Sequence, residues 1–227
     1  MESPFCPVDA LRGDADFRLI ETFGFVPGQG IARCDLHLAR LASSAAHFGI
    51  EFDPMAIHRA LEGIRAEVPL RCRLTLDAAG GVEISTAPMP QQASAWRFAI
   101  SDIRLDADDP FLRHKTTRRA VYDQARSALP KGIDEMLFLN TRGELCEGTI
   151  TNLVITTDDH QKLTPALTSG CLPGVYRQSL LNAGQISQAV LTPQDLAKAR
   201  SISLVNSLRG EIRTIWAPDC EEFASFA

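Results

Sequence analysis

Residues 144–153, ELCEGTITNL, followed by LPGVYR at 172–177, decide how this chain is read. In the first stretch a carboxylate, Glu147, stands between a strand-like apolar segment and a Gly-Thr turn, and Asn152 opens a further apolar run. In the second, Pro173-Gly174 opens a helix whose first backbone N–H groups and positive end suit a phosphate. Taken singly, Glu147 reads as a surface residue and the helix start as merely capped or solvated.

Upstream, RHKTTRR at 113–119 is the densest run of positive charge and falls where a loop becomes a helix. Its plain reading is a solvated basic turn. A lysine beside other cations also gives up its proton more readily, which favours imine formation by Lys115 with an aldehyde. Two smaller pieces complete the set: HLARL at 37–41 and NSLRG at 206–210. Alone, Arg40 reads as an exposed helix residue and Ser207 as a turn former.

The 227 residues are 45% hydrophobic and 22% charged, enough for one or two domains with cores and unlike a disordered or fibrous chain. A net charge of −5 argues against a nucleic-acid binder, which needs a basic excess. Six cysteines, at 6, 34, 72, 146, 171 and 220, form no CxxC pair, so no metal site is expected. Residues 1–20 lack the apolar run of a leader and no segment has the ~20 apolar residues of a membrane helix. A reduced, cytoplasmic protein is the expectation.

Periodicity orders the rest. Residues 17–34 predict two strands around Pro-Gly-Gln-Gly, then a helix with Asp35 as N-cap, Leu38, Leu41, Ala45 and Phe48 on one face, and Gly49 as C-cap. Asp53-Pro54 starts a second helix with Ile57, Leu61, Ile64 and Val68 on its apolar face. Alternation at Leu70–Leu76 and Val82–Thr86 predicts a hairpin, and Trp96, Phe98 and Ile100 another strand. Beyond an Asp-rich break come a helix over 116–129, strands at 135–139, from 145 and at 152–156, helices at 174–182 and 193–199, and strands at 201–205 and 212–216. The division expected is a small α/β domain at 1–105, a linker at 106–112 and a larger domain at 113–227.

In this order the motifs resemble the fold-type IV, class-IV aminotransferase family, which holds branched-chain and D-amino-acid transaminases and 4-amino-4-deoxychorismate lyase. The run from Glu147 through Asn152, Thr164 and Leu172 to Gly174-Val175-Tyr176-Arg177 carries most of the likeness, which spans about Phe17 to Trp216. The resemblance implies an α+β, two-domain enzyme with a barrel-like sheet in the larger domain and pyridoxal 5′-phosphate (PLP) as cofactor. It makes Lys115 the catalytic, Schiff-base lysine and Glu147 the partner of the pyridine nitrogen. Arg40, Gly174 with the amides of Val175 and Tyr176, Ser207 and Asn152 complete the cofactor-binding set. It also implies an amino-acid-like substrate and a homodimer.

This chain departs from the family pattern at Ala120, where transaminases commonly have a tyrosine, and at Val154 and Lys162, where an aromatic and an apolar residue are usual. Ala120, the HKTTRR context and the NSLRG ending tilt the resemblance toward the lyase, with folate biosynthesis as its setting and a branched-chain or D-amino-acid transaminase as the alternative.

Overall fold

The computed structural model describes residues 11, 14–91 and 93–217 and divides into two units, one built of 1–91 and 114–118 and the other of 92–113 and 119–227. Most of residues 1–13, read above as lacking a leader, and Cys6 and Cys220 lie outside the described residues.

The first unit begins with β1 (Arg18–Val26), whose partner β2 (Gly30–Ile31) returns through a turn with Gly28 and Gly30 both at φ 76°, a conformation glycine adopts without strain. Helices α1 (Cys34–Phe48) and α2 (Pro54–Glu62) follow, then the hairpin β3 (Leu70–Asp77) and β4 (Val82–Pro88). The antiparallel sheet runs β2-β1-β3-β4. Period-2 alternation buries Cys72, Leu74 and Leu76 on β3 together with Leu19 and Phe23 of β1, so one sheet face forms the core of this unit.

The second unit is organised by β5 (Trp96–Leu105), β6 (Glu135–Asn140), β7 (Leu145–Gly148), β8 (Asn152–Thr156), β11 (Ser201–Asn206) and β12 (Gly210–Trp216). Strand order β8-β11-β12-β5-β6-β7 closes on itself because β7 also pairs with β8, giving a six-stranded mixed barrel. Closure runs through one register pair, Glu147 opposite Asn152. Phe98, Leu137, Leu145, Leu153, Leu204 and Ile212 are among the buried apolar residues of its largest cluster. β9 (Lys162–Pro165) and β10 (Ser187–Ala189) extend the sheet from β8, and α3 (Ala120–Ser127), α4 (Val175–Asn182) and α5 (Pro193–Lys198) complete the unit.

Several expectations shift. The N-cap of α1 is Arg33, in the left-handed region at φ 56°, and Asp35 sits within the first turn, where its charge still favours the helix start. Helix α2 stops at Gly63, so Val68, expected on its apolar face, is exposed. The helix expected over 116–129 begins only at Ala120, because the backbone of residues 115–117 is hydrogen-bonded to β1. The short strands β9 and β10 had no alternation to announce them. The two units divide at 91/92, where β5 pairs with β6 and β12, while 114–118 belong to the first unit and pair with β1.

Among the described residues no helix is long and apolar enough to cross a membrane, and no three His, Cys, Asp or Glu side chains are grouped to hold a metal ion.

Candidate active site

In the second unit the structure brings Glu147, Asn152 and Gly174 together. Glu147 stands next to the end of β7 with its side chain buried, where an ionised carboxylate needs donors. The Tyr122 hydroxyl donates to its Oε1 at 2.8 Å, and Asn152 Nδ2 donates to its Oε2 at 3.3 Å. Burial first, and then the adjacent Glu147 charge, raise the Tyr122 phenol far above its ordinary value, so it stays a donor. The same two causes, in that order, push the Cys171 thiol up to about 12 and also raise that of Cys146.

Asn152 Nδ2 also donates to Leu172 O at 2.9 Å, linking the carboxylate to the segment that enters α4. Gly174 is the N-cap of that helix, and a Cβ there would land on Asn152 Oδ1. No side chain caps α4 and its first turn holds no acid, so the amides of Val175 and Tyr176 open a positive helix end. Tyr176 packs beside Val154, Val205 and Ile186, and Ser207 lies in the turn joining β11 to β12, half-buried.

A further buried carboxylate holds the turn between Glu147 and Asn152. Glu135, at the start of β6 and fully buried, accepts from Thr149 N at 2.9 Å, Thr151 Oγ1 at 3.0 Å and the Thr149 hydroxyl. Arg126 Nη1 stands 3.6 Å from its Oε1. A Cβ at Gly148 would meet Glu135 Cδ at 2.8 Å, so glycine lets the turn approach this closely. Arg177, also buried, anchors α4 from below: its Nη2 donates to Pro165 O at 2.8 Å and Gln188 Oε1 at 2.9 Å.

In the first unit, Lys115 is pinned through its backbone. Ile20 N donates to Lys115 O at 2.8 Å and Thr117 N to Arg18 O at 2.9 Å, which lays the segment along β1 and leaves the half-buried lysine side chain governed by a fixed backbone. Arg40, on α1, meets Glu21 of β1 with two nitrogens, Nε to Oε1 at 2.8 Å and Nη2 to Oε2 at 2.7 Å, while His37 Nδ1 is 2.6 Å from the same Oε2. Burial alone would raise the Glu21 carboxyl, but the Arg40 charge and the hydrogen bonds from His37 and Arg40 outweigh it and lower it to about 2.

Glu21, Glu135 and Tyr122 were not assigned roles by sequence reasoning. The two glutamates had a signal: each is a charge at the edge of or within an apolar strand pattern, Glu21 between Leu19 and Phe23 and Glu135 ahead of Met136-Leu-Phe-Leu139. A charge at a core position must be paired or hydrogen-bonded.

Comparison with known proteins places this arrangement. The sequence profile of the amino-transferase class IV family matches residues 18–214, and the chain belongs to that family, whose enzymes use PLP. A crystal structure of a "putative amino-acid aminotransferase" from Mesorhizobium loti superposes with a TM-score of 0.83 at 41% identity, over 89% of this chain and 100% of that one. The small antiparallel sheet and six-stranded barrel are thus the fold-type IV architecture expected from the sequence. A "putative aminodeoxychorismate lyase" from Schizosaccharomyces pombe is 27% identical over 76% of this chain and 79% of its own length. The aminodeoxychorismate lyase of Saccharomyces cerevisiae is 31% identical over 52% of this chain and 36% of its own.

Proposed function

We propose that this class-IV aminotransferase-family chain is a PLP-dependent 4-amino-4-deoxychorismate lyase, releasing pyruvate and forming 4-aminobenzoate. The observation that carries the reading is Tyr122: its hydroxyl is committed to Glu147, while position 120, where the family's transaminases commonly place a tyrosine, is an exposed alanine. Two curated relatives named as aminodeoxychorismate lyases point the same way. An amino-acid transaminase, branched-chain or D-specific, is the second reading, favoured by the name of the 41%-identical structure.

The residues present suit PLP. A buried carboxylate with two donors, an uncapped helix start behind an obligatory glycine, an oriented guanidinium and a backbone-pinned lysine are the chemistry its pyridine nitrogen, phosphate and aldehyde ask for. Lys115 would hold the cofactor covalently, Glu147 would keep positive charge at the pyridine nitrogen with Asn152 steadying it, and Arg40, the amides of Val175 and Tyr176 behind Gly174, and Ser207 would hold the phosphate. When bound, PLP supplies an electron sink for the carbon that bears the substrate amine.

The work left to the chain is proton handling and orientation. The Lys115 amine would take the proton from the amine-bearing carbon of the substrate. In the lyase reading the enolpyruvyl group would leave the neighbouring carbon as enolpyruvate, and a proton would convert it to pyruvate; in the transaminase reading no group leaves and the Lys115 amine would return the proton at another carbon. Glu147 must stay ionised through either course, and the Tyr122 hydroxyl bond favours that state.

A product assay separates the readings: purified enzyme is offered 4-amino-4-deoxychorismate in one arm, and amino acids with 2-oxoglutarate in the other. Pyruvate and 4-aminobenzoate in equal amounts are expected from the first. Glutamate formation in the second with no pyruvate in the first would make the chain a transaminase. A homodimer belongs to the same proposal, and sedimentation at micromolar concentration checks it.

A further inference from the structure

We propose that Arg177 is a positioning residue for the cofactor's phosphate: with Thr164 as its relay, it sets the first turn of α4 so that the helix start meets the phosphate. The inference rests on the phosphate role proposed for that helix start and adds two residues to it.

Thr164 and Arg177 belong to the run that carries the family likeness, and what they do is visible in their contacts. Arg177 is the third residue of α4, so whatever holds its side chain also sets how the first turn is rotated. Its buried guanidinium reaches three acceptors: Nε donates to Thr164 Oγ1 at 3.2 Å, and Nη2 donates to Pro165 O at 2.8 Å and to Gln188 Oε1 at 2.9 Å. Thr164 and Pro165 lie on β9 and Gln188 on β10. Thr164, wholly buried, passes the tie on by donating its own hydroxyl to Leu153 O of β8 at 2.7 Å.

The neighbouring residue of β8 holds the chain just ahead of the helix. Asn152 Nδ2 donates to Leu172 O at 2.9 Å, and its Oδ1 sits where a Cβ on Gly174 would fall. Residues 152 and 153 of one strand thus grip both the entry to α4 and its first turn, and Asn152 joins the same strand to Glu147.

Stability does not explain an arginine here. Positive charge in the first turn opposes the helix dipole, and the three acceptors are a backbone carbonyl, an amide oxygen and a hydroxyl rather than a carboxylate. Burial accordingly pulls the guanidinium below its ordinary value. An apolar side chain of similar length would fill the space without burying a charge. It could not hold three acceptors with one planar group, and that is what fixes the turn.

The test is equilibrium dialysis of the full apo chain against PLP and, separately, against pyridoxal, which keeps the ring and aldehyde but lacks the phosphate. Val175→Pro checks the underlying contact by itself: proline suits the first helical position, Gly174 before it is already extended at ψ 139°, and the N–H offered to the phosphate is removed. It is expected to weaken PLP binding by about tenfold and to leave pyridoxal binding within about twofold. Arg177→Met, and Arg177→Lys, which keeps the charge without the planar group, should each weaken PLP binding by roughly 5- to 20-fold with pyridoxal again unchanged. Thr164→Val keeps the shape but loses the relay and should weaken PLP binding by about threefold, whereas Thr164→Ser should bind as the wild type does. Melting temperatures identify any variant that does not fold, and the two Thr164 variants carry the test if those at Arg177 fail.

PLP affinity unchanged by Val175→Pro would remove the phosphate from the helix start, and Arg177 would have no ligand to position. A selective loss with Val175→Pro beside unchanged PLP affinity in Arg177→Met would leave the phosphate contact standing and overturn the positioning role. Full affinity in Arg177→Lys would reduce the residue to its charge, and equal losses of PLP and pyridoxal with Arg177→Met or Thr164→Val would make the pair a staple of the fold; either result overturns the proposal.

Discussion

The Tyr122 hydroxyl donates to Oε1 of Glu147 at 2.8 Å, tying the first turns of α3 to the strand that closes the barrel. Tyr122→Phe keeps the ring in its cluster with Phe138, Cys146 and Cys171 but removes the donor. Since a hydrogen bond to a charged group contributes about 1.5–3 kcal/mol, unfolding in urea should show a loss of that size. Turnover should fall while the cofactor remains bound, because the carboxylate loses one of the groups that favour its charge. Unchanged stability and rate together would mean that the hydroxyl contact is incidental.

Lys115→Ala should fold, because the backbone bonds of residues 115–117 to β1 do not involve the side chain. It should lack both the visible absorbance of lysine-bound PLP and all turnover, and borohydride should no longer attach the cofactor. Glu147→Gln, by contrast, should still take up PLP and react much more slowly. Wild-type rates in the second variant would move the pyridine partner elsewhere.

Gly174→Ala tests the approach of α4 to Asn152. The new Cβ would occupy the place of Asn152 Oδ1, and the amide could retreat only by giving up its bonds to Glu147 or Leu172 O. Overpacking of this kind costs about 1–3 kcal/mol, and the cofactor affinity should fall with it. Spectrophotometric titration with PLP reads the second effect; an alanine variant that binds like the wild type would show that the helix start has room to shift.

Glu135 anchors the 148–151 turn through Thr149 N, Thr151 Oγ1 and the Thr149 hydroxyl, with Arg126 nearby. Glu135→Ala strands these buried donors, and a loss of about 3–5 kcal/mol is expected from breaking such a network. Asn152→Ala removes only the two bonds of one amide, to Glu147 Oε2 and Leu172 O, and should cost less. Denaturation midpoints that rank the two variants in the opposite order would show that the turn is held by other means.

How much of this was readable in the sequence follows from what each residue's neighbours are. The hairpin of β3 and β4 announced itself because alternation is a local property, and the Asp53-Pro54 start of α2 because a cap and a proline act within one turn. Glu147 and Asn152 were singled out by motif, yet their facing register is a consequence of barrel closure that no local pattern encodes. The same holds just after Lys115, where residues 116–119 read as the start of a helix because their pairing partner, β1, lies nearly a hundred residues earlier in the sequence. Glu21 was visible as a charge between two apolar core positions, but only the packing of α1 shows that His37 and Arg40 are what allow it to be buried.

Glu21 also gives the folded state a defined acid response. Its carboxyl is lowered from 4.5 to about 2 in the folded protein, so the unfolded chain binds the proton more tightly. The contribution of its charge to stability is therefore complete above about pH 4.5, declines as the pH falls below that value, and is lost on passing through about 2. Glu144 is lowered to about 2 as well, chiefly by its hydrogen bond from Arg142, but Arg142 is exposed and Glu144 only half-buried, so solvent screening reduces the weight of the pair. Glu21→Gln should accordingly be less stable than the wild type by a few kcal/mol at pH 7, with the gap narrowing between pH 4.5 and 2, whereas Glu144→Gln should track the wild type throughout. Urea unfolding at pH 7, 4 and 3 measures both. A gap for Glu21→Gln that stays constant with pH would show that the side chain stabilises through packing alone and that its charge is not what Arg40 and His37 hold.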